Sequence, residues 1–341
     1  MLSQREREAR RRQYRRRQRL TLLAVLLVLV LLIVGVVAVV RHIAEGSDDP
    51  NTPTTGDSNA SQTTTTTTRY PLMAEGMLPG IGLDTNTIHA VMLYDATAGQ
   101  PVYAYDADRR MYPASMTKMM TAAVACEYLN ETASYTIGSE QALVPDDASR
   151  AGLYPGSSVS LKCLLEGLLM NSGGDAAYAL AVNAARAATG DTAMNDAAAV
   201  AKFMELVNAR MKQLGCTGSH FTTPDGYYDH DHYATAEDMV KIAIHARSFP
   251  LVKTVMGQWN GEFFETNTNL LLNSASKYYY EYADGLKTGY HDQGGYCLAA
   301  SATKGDTTLI AIIQCGHSET ERFAVAKSLF EQGFAHIEKQ K

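Results

Sequence analysis

With 341 residues and 46% hydrophobic content, the chain has ample apolar material for one large domain or two modest ones, which excludes a wholly disordered protein. Its net charge of −6 is unevenly spread, because residues 1–40 hold nine Arg and two Glu and the rest must carry −13. An acidic body argues against nucleic acid as the partner of the folded part, and the five cysteines include no pair at metal-ligand spacing.

Residues 1–19 form the basic tail, and Leu20–Val40 follows as 21 uncharged, mostly aliphatic residues. At 1.5 Å per helical residue such a run spans about 30 Å, the thickness of a hydrocarbon core. With Arg5 through Arg19 on one side and only Arg41 and His42 on the other, the tail is expected in the cytoplasm and the body outside the cell membrane. A cleaved signal peptide has a shorter apolar stretch, about 7–15 residues, so an uncleaved single-pass anchor in the lipid bilayer is the preferred reading. Residues 41–71, which include Thr63–Thr68, lack apolar periodicity and read as an extracytoplasmic linker. A flexible coil of that length reaches about 25–30 Å on average.

The body, residues 72–341, opens with strand-like runs at Ala90–Asp95 and Val102–Asp106 around Ala98-Gly99-Gln100, a β-hairpin. Helices are predicted over Ser115–Leu129, Ser160–Met170, Asp175–Ala187, Asn195–Leu214 and Thr235–Arg247, the last with a capping pattern at Thr235-x-x-Asp238. A second hairpin pairs Tyr296–Thr303 with Thr308–Cys315, and Glu319–Glu338 closes the chain as an amphipathic helix. Strands at both ends with helices between them indicate an α+β domain, an antiparallel sheet flanked by helices. Cys297 and Cys315 lie on the two arms of the second hairpin; a disulfide there is an open alternative to five packed thiols.

Three short motifs carry the chemistry: Ser115-Met-Thr-Lys118, Ser172-Gly-Gly174 and Lys287-Thr-Gly289. Pro113 places Ser115 at or near a helix N-terminus, and Lys118 falls one turn on, on the same face. A serine hydroxyl is a poor nucleophile until a base takes its proton. A lysine serves only when neutral, a state that burial and a second cation such as Lys287 favour. Each motif alone is weak: Ser274-Ala-Ser-Lys277 also matches the first pattern, but in a polar, tyrosine-rich stretch. Order and fit to the predicted elements make the trio specific.

Tyr112-Pro-Ala-Ser-Met-Thr-Lys-Met119, Phe221-Thr-Thr-Pro-Asp-Gly226 with His232-Tyr-Ala-Thr235, and Asp284-Gly-Leu-Lys-Thr-Gly-Tyr290 resemble the serine D-alanyl-D-alanine carboxypeptidases, low-molecular-weight penicillin-binding proteins, over residues 75–337. The resemblance implies a five-stranded antiparallel sheet with a helical subdomain. It also implies removal of the terminal D-alanine from peptidoglycan stem peptides through an acyl-enzyme, with β-lactams as covalent inhibitors and no metal or cofactor. Ser115 would be the nucleophile, Lys118 the proton acceptor and Ser172 a proton relay to the leaving amine. Lys287, Thr288 and Arg322 would bind the terminal carboxylate, with Gly289 completing the strand motif. The backbone N–H groups of Ser115 and Tyr290 would form the oxyanion hole.

The chain departs from that family at Gly174, where an Asn usually contacts the substrate, so looser positioning is expected. Many relatives add a β-rich domain and a C-terminal amphipathic helix, for which the N-terminal anchor is expected to substitute. Asp229-His230-Asp231-His232 has metal-ligand side chains but occupies a family loop, and Glu205 with Asn208 is off the spacing of a β-lactamase deacylating pair. D,D-endopeptidase action, weak β-lactamase action and a non-catalytic penicillin- or wall-binding scaffold remain open alternatives.

Overall fold

The computed structural model describes Leu72, Met73 and residues 88–340. The basic tail, the apolar run over 20–40 and the linker over 41–71 lie outside the described residues; among the described residues, no helix is long and apolar enough to cross a membrane.

The first hairpin is β1 (Ala90–Asp95) and β2 (Gln100–Tyr105). Gly99 takes φ +70° at its turn, and the Asp95 carboxylate accepts from the N–H groups of Thr97 and Ala98 at 2.8 and 2.9 Å. A 3-10 turn, Ala114–Thr117, leads into α1 (Lys118–Tyr128), so the predicted helix begins one turn tighter than expected. Next come β3 (Ser134–Thr136), β4 (Ser158–Ser160), α2 (Leu161–Leu169), α3 (Gly174–Thr189), α4 (Asp196–Gln213), α5 (Ala236–Arg247) and α6 (Pro250–Gly257). Three strands follow, β5 (Ala283–His291), β6 (Gly295–Lys304) and β7 (Thr307–Gly316), and then α7 (Glu321–Glu338). The predicted cap forms, with the Thr235 side chain accepting from the Asp238 N–H at 3.1 Å, and Asn195 caps α4 in the same way, accepting from the Ala198 N–H at 2.9 Å.

Five strands pair antiparallel in the order β2-β1-β7-β6-β5, and β3 and β4 form a separate two-stranded ribbon that the sequence reading did not foresee. Both faces of the five-stranded sheet are covered. Val91, Leu93, Leu309, Ala311 and Ile313 pack on Phe323, Leu329, Phe330 and Phe334 of α7. The alternate residues Ala90, Met92, Ile310 and Ile312 join the larger core formed with the helices. In that core α3 is the central element, buried from Gly174 through Val182, and α1, α2 and α4 pack around it. Its alanines allow this crowding, since a larger side chain on every face would hold the neighbouring helices apart.

Several expectations resolve as structural features. Among the described cysteines, Cys163 and Cys216 are buried thiols and Cys126 is half-buried. The Cys315 side chain lies outside the described residues, and so does the hairpin disulfide; Cys297 Sγ sits 3.4 Å from the Gly294 carbonyl. Glu205 is exposed on α4 and pairs with Lys202 at 2.9 Å, while Asn208 bonds to the backbone of Met204 and Phe221. That pair is a feature of helix packing.

Phe330 is fully buried and stacks on Tyr280 with centroids 5.8 Å apart. Phe330→Ala is expected to cost about 3–5 kcal/mol of stability, read from denaturant unfolding.

Candidate active site

The turn that carries Ser115 is fixed by contacts that only glycine permits. Gly226 has φ +79°, and a Cβ there would stand 2.0 Å from the Ala114 carbonyl oxygen. Gly289 on β5 approaches from the other side, where a Cβ would lie 2.9 Å from the Pro113 carbonyl oxygen. Ala114 itself is held at φ +48°, which turns the next residue, Ser115, toward the cleft.

Lys118 occupies the first turn of α1 and is buried, 2% exposed. Its Nζ lies 2.8 Å from Ser115 Oγ and donates to the Asp225 carbonyl at 2.7 Å. Burial pushes its ammonium down to about 8, against the opposing pull of the Asp225 and Asp175 carboxylates. Lys287 on β5 is also buried, with Nζ 2.9 Å from the Thr288 carbonyl. Burial, and then the charges of Lys118 and Arg322, hold it well below the usual lysine range.

These residues surround a cleft of about 630 Å³ between β5 and the helical region. Of the residues expected from sequence, Ser115, Lys118, Ser172, Thr288, Gly289, Tyr290 and Arg322 line it. Lys287 lies beneath that lining. Ser172 sits at φ +59° before α3, and its carbonyl accepts from Ser149 Oγ. Arg322, at the start of α7, donates through Nη1 to the carbonyls of Gly289 and Cys297 at 2.8 and 3.0 Å.

The Asp229–His232 run separates. Asp229, His230 and Asp231 are exposed, whereas His232 turns inward. Its Nδ1 accepts from the Thr222 N–H at 3.1 Å, which puts the ring proton on Nε2, 2.8 Å from Thr117 Oγ1. His232 thereby braces the turn that holds Ser115. Among the described residues, no His, Cys, Asp and Glu cluster has a metal-binding arrangement. Ser274 and Lys277 sit exposed in a turn outside the cleft.

Sequence reasoning assigned no role to Asp147, Ser149, Thr268, His291 or Asp292, all of which line the cleft. Thr268 is typical: its Oγ1 sits 2.6 Å from Thr288 Oγ1 across 20 residues of chain, a pairing with no local signature. Asp225 lay inside a recognised motif, but its carboxylate had no assigned use.

Comparison with known proteins agrees with this geometry. The peptidase S11 family model, described as D-alanyl-D-alanine carboxypeptidase, matches residues 83–316. The chain belongs to that family. It is 27% identical over 260 residues to the D-alanyl-D-alanine carboxypeptidase DacF of Bacillus subtilis, covering 73% of this chain and 62% of that protein. It is 31% identical over 279 residues to the Escherichia coli K12 carboxypeptidase DacA, covering 77% and 64%. Against the D-alanyl-D-alanine carboxypeptidase of Streptomyces sp. strain K15 the identity is 33%, over 77% of this chain and 94% of that one. The crystal structure of the Streptomyces K15 DD-transpeptidase superimposes with a TM-score of 0.66 at 31% identity, covering 73% and 97%. The S11 chain thus spans less than two thirds of the length of relatives such as DacF.

Burial lowers the His232 imidazole to about 3, from the ordinary 6.5 it regains on unfolding. Between those values the unfolded chain binds a proton that the folded chain excludes, so this stabilisation is complete above pH 6.5 and is lost as the pH falls. Denaturant midpoints are expected to drop between pH 6.5 and 5 more steeply for the wild type than for His232→Gln.

Proposed function

We propose that the chain is a membrane-anchored serine-type D,D-carboxypeptidase that removes the terminal D-alanine from peptidoglycan stem peptides. The observation that carries this reading is the Ser115–Lys118 pair: a hydroxyl 2.8 Å from a buried amine whose proton is loosely held. As Ser115 Oγ attacks the carbonyl carbon between the two D-alanines, its proton passes to Lys118 Nζ. The N–H groups of Ser115 and Tyr290 hold the developing oxyanion. Collapse breaks the C–N bond, and the leaving amine takes a proton through Ser172. Water then attacks the ester and gives a proton to Lys118; the Ser115 Oγ–C bond breaks, Lys118 returns the proton to Oγ, and the shortened peptide leaves. Thr288 and Arg322, with Lys287 behind them, receive the terminal carboxylate. No step calls for a metal or cofactor.

A non-catalytic scaffold would have no use for a buried amine held 2.8 Å from a serine hydroxyl. A second catalytic reading is favoured by the similar Streptomyces K15 protein, named a DD-transpeptidase: an amine can replace water as the acyl acceptor. D-alanine release from a pentapeptide ending in D-Ala-D-Ala is expected from the wild type and not from Ser115→Ala, which also loses covalent penicillin labelling. Labelling that persists in Ser115→Ala would sink the assignment. Added glycylglycine diverts product to a longer peptide if transfer competes with hydrolysis.

Residues 20–40 support the anchor by their length and lack of charge, with the arginine-rich tail fixing orientation. Deleting residues 1–40 is expected to move the protein from the membrane fraction to the soluble one; retention on membranes would overturn this part.

A further inference from the structure

Gly174 begins α3, and a Cβ built on it would lie 3.0 Å from Asp225 Oδ2, 3.2 Å from Val144 Cγ1 and 3.3 Å from the Ser149 carbonyl oxygen. A side chain at this position would therefore press directly on the Asp225 carboxylate. Asp225 comes from the loop before α5, is 3% exposed and lines the cleft. Its Oδ1 accepts from the Tyr227 N–H at 3.1 Å, which aims Oδ2 at Gly174. The missing side chain at 174 and the buried carboxylate at 225 thus share one volume.

We propose that Asp225 is a positioning residue of this cleft, its carboxylate seated in the space that glycine leaves at 174 and acting through Lys118. The inference rests on Ser115 and Lys118 being nucleophile and base. An amide side chain offers both a donor and acceptors, whereas an ionised carboxylate offers acceptors alone and a full negative charge. The charge matters because Asp225 also binds the Lys118 ammonium through its backbone carbonyl, at 2.7 Å. The carbonyl holds Nζ beside Ser115 Oγ, and the carboxylate favours the charged form of Lys118. The other groups acting on this site are the Asp175 carboxylate from α3, the Lys287 amine from β5 and the neutral His232 ring behind the nucleophile turn. Asp175 is committed elsewhere, accepting from the N–H groups of Ala151, Gly152 and Leu153. Of the acidic residues lining the cleft, Asp225 is buried, whereas Asp147, Asp292 and Glu319 are exposed. Looser positioning, expected from Gly174 alone, gives way to a different polar group supplied by another element.

The sign of the effect follows. Lys118 accepts a proton only when neutral, and the neighbouring carboxylate opposes neutrality. Asp225→Asn keeps the acceptor for the Tyr227 N–H and removes the charge, so Lys118 becomes neutral at lower pH. The test is the second-order rate of acylation by a fluorescent penicillin, measured from pH 5 to 10 on the full chain. Wild type is expected to rise through a midpoint near 8, and Asp225→Asn through one about one pH unit lower. Gly174→Ala, which pushes on the carboxylate, is expected to move the midpoint the same way, and to add nothing further in the Asp225→Asn background. Unchanged melting temperatures identify the variants that fold. A midpoint that stays put in Asp225→Asn, with labelling intact, overturns the role of Asp225 and leaves the nucleophile reading standing. A wild type that takes no label overturns both.

Discussion

The burial of Lys118 is the constraint around which the rest of the site is arranged. An amine 2% exposed pays a heavy desolvation cost when charged, and the fold returns only part of it, through the Asp225 carbonyl and two carboxylates at longer range. The result is a lysine whose proton is held less tightly than usual, 2.8 Å from the Ser115 hydroxyl. In open solvent the same side chain would stay protonated and useless as a base.

Holding that balance requires three segments to meet at closer than ordinary side-chain distance. The 3-10 turn of Ala114–Thr117, the Pro224–Gly226 loop and strand β5 converge where Gly226 and Gly289 leave no room for a Cβ. His232 closes the arrangement from behind through Thr117, and its own burial keeps it neutral, so no second cation is added there. The sheet supplies rigidity: β5 is the edge strand next to β6, and β6 pairs with β7 in the interior of a sheet covered on both faces. A site built on an edge strand leaves one side of that strand free to face substrate.

Much of this was legible beforehand. The order of elements, an antiparallel sheet and most helix ends followed from periodicity and the cap at Thr235, which acts on its own neighbour, whereas the count of five strands came from the family resemblance. Helix α6 and the ribbon of β3 and β4 were missed: short elements carry little periodic signal and depend on packing for their existence. Thr268 and Asp147 were equally invisible, since nothing in their local sequence points to the cleft that tertiary contacts place them in.

The sequence by itself determined the chemical groups, a serine, two lysines and an arginine, set on elements whose type their own residues encode. It also carried the absence of a side chain at Gly174. Only the tertiary structure decided what fills that absence, that His232 braces a turn and that Lys287 lies beneath the lining. The reason is physical. Residue type and short-range spacing act within a few residues, whereas desolvation and steric exclusion depend on which distant segments come to occupy the same volume.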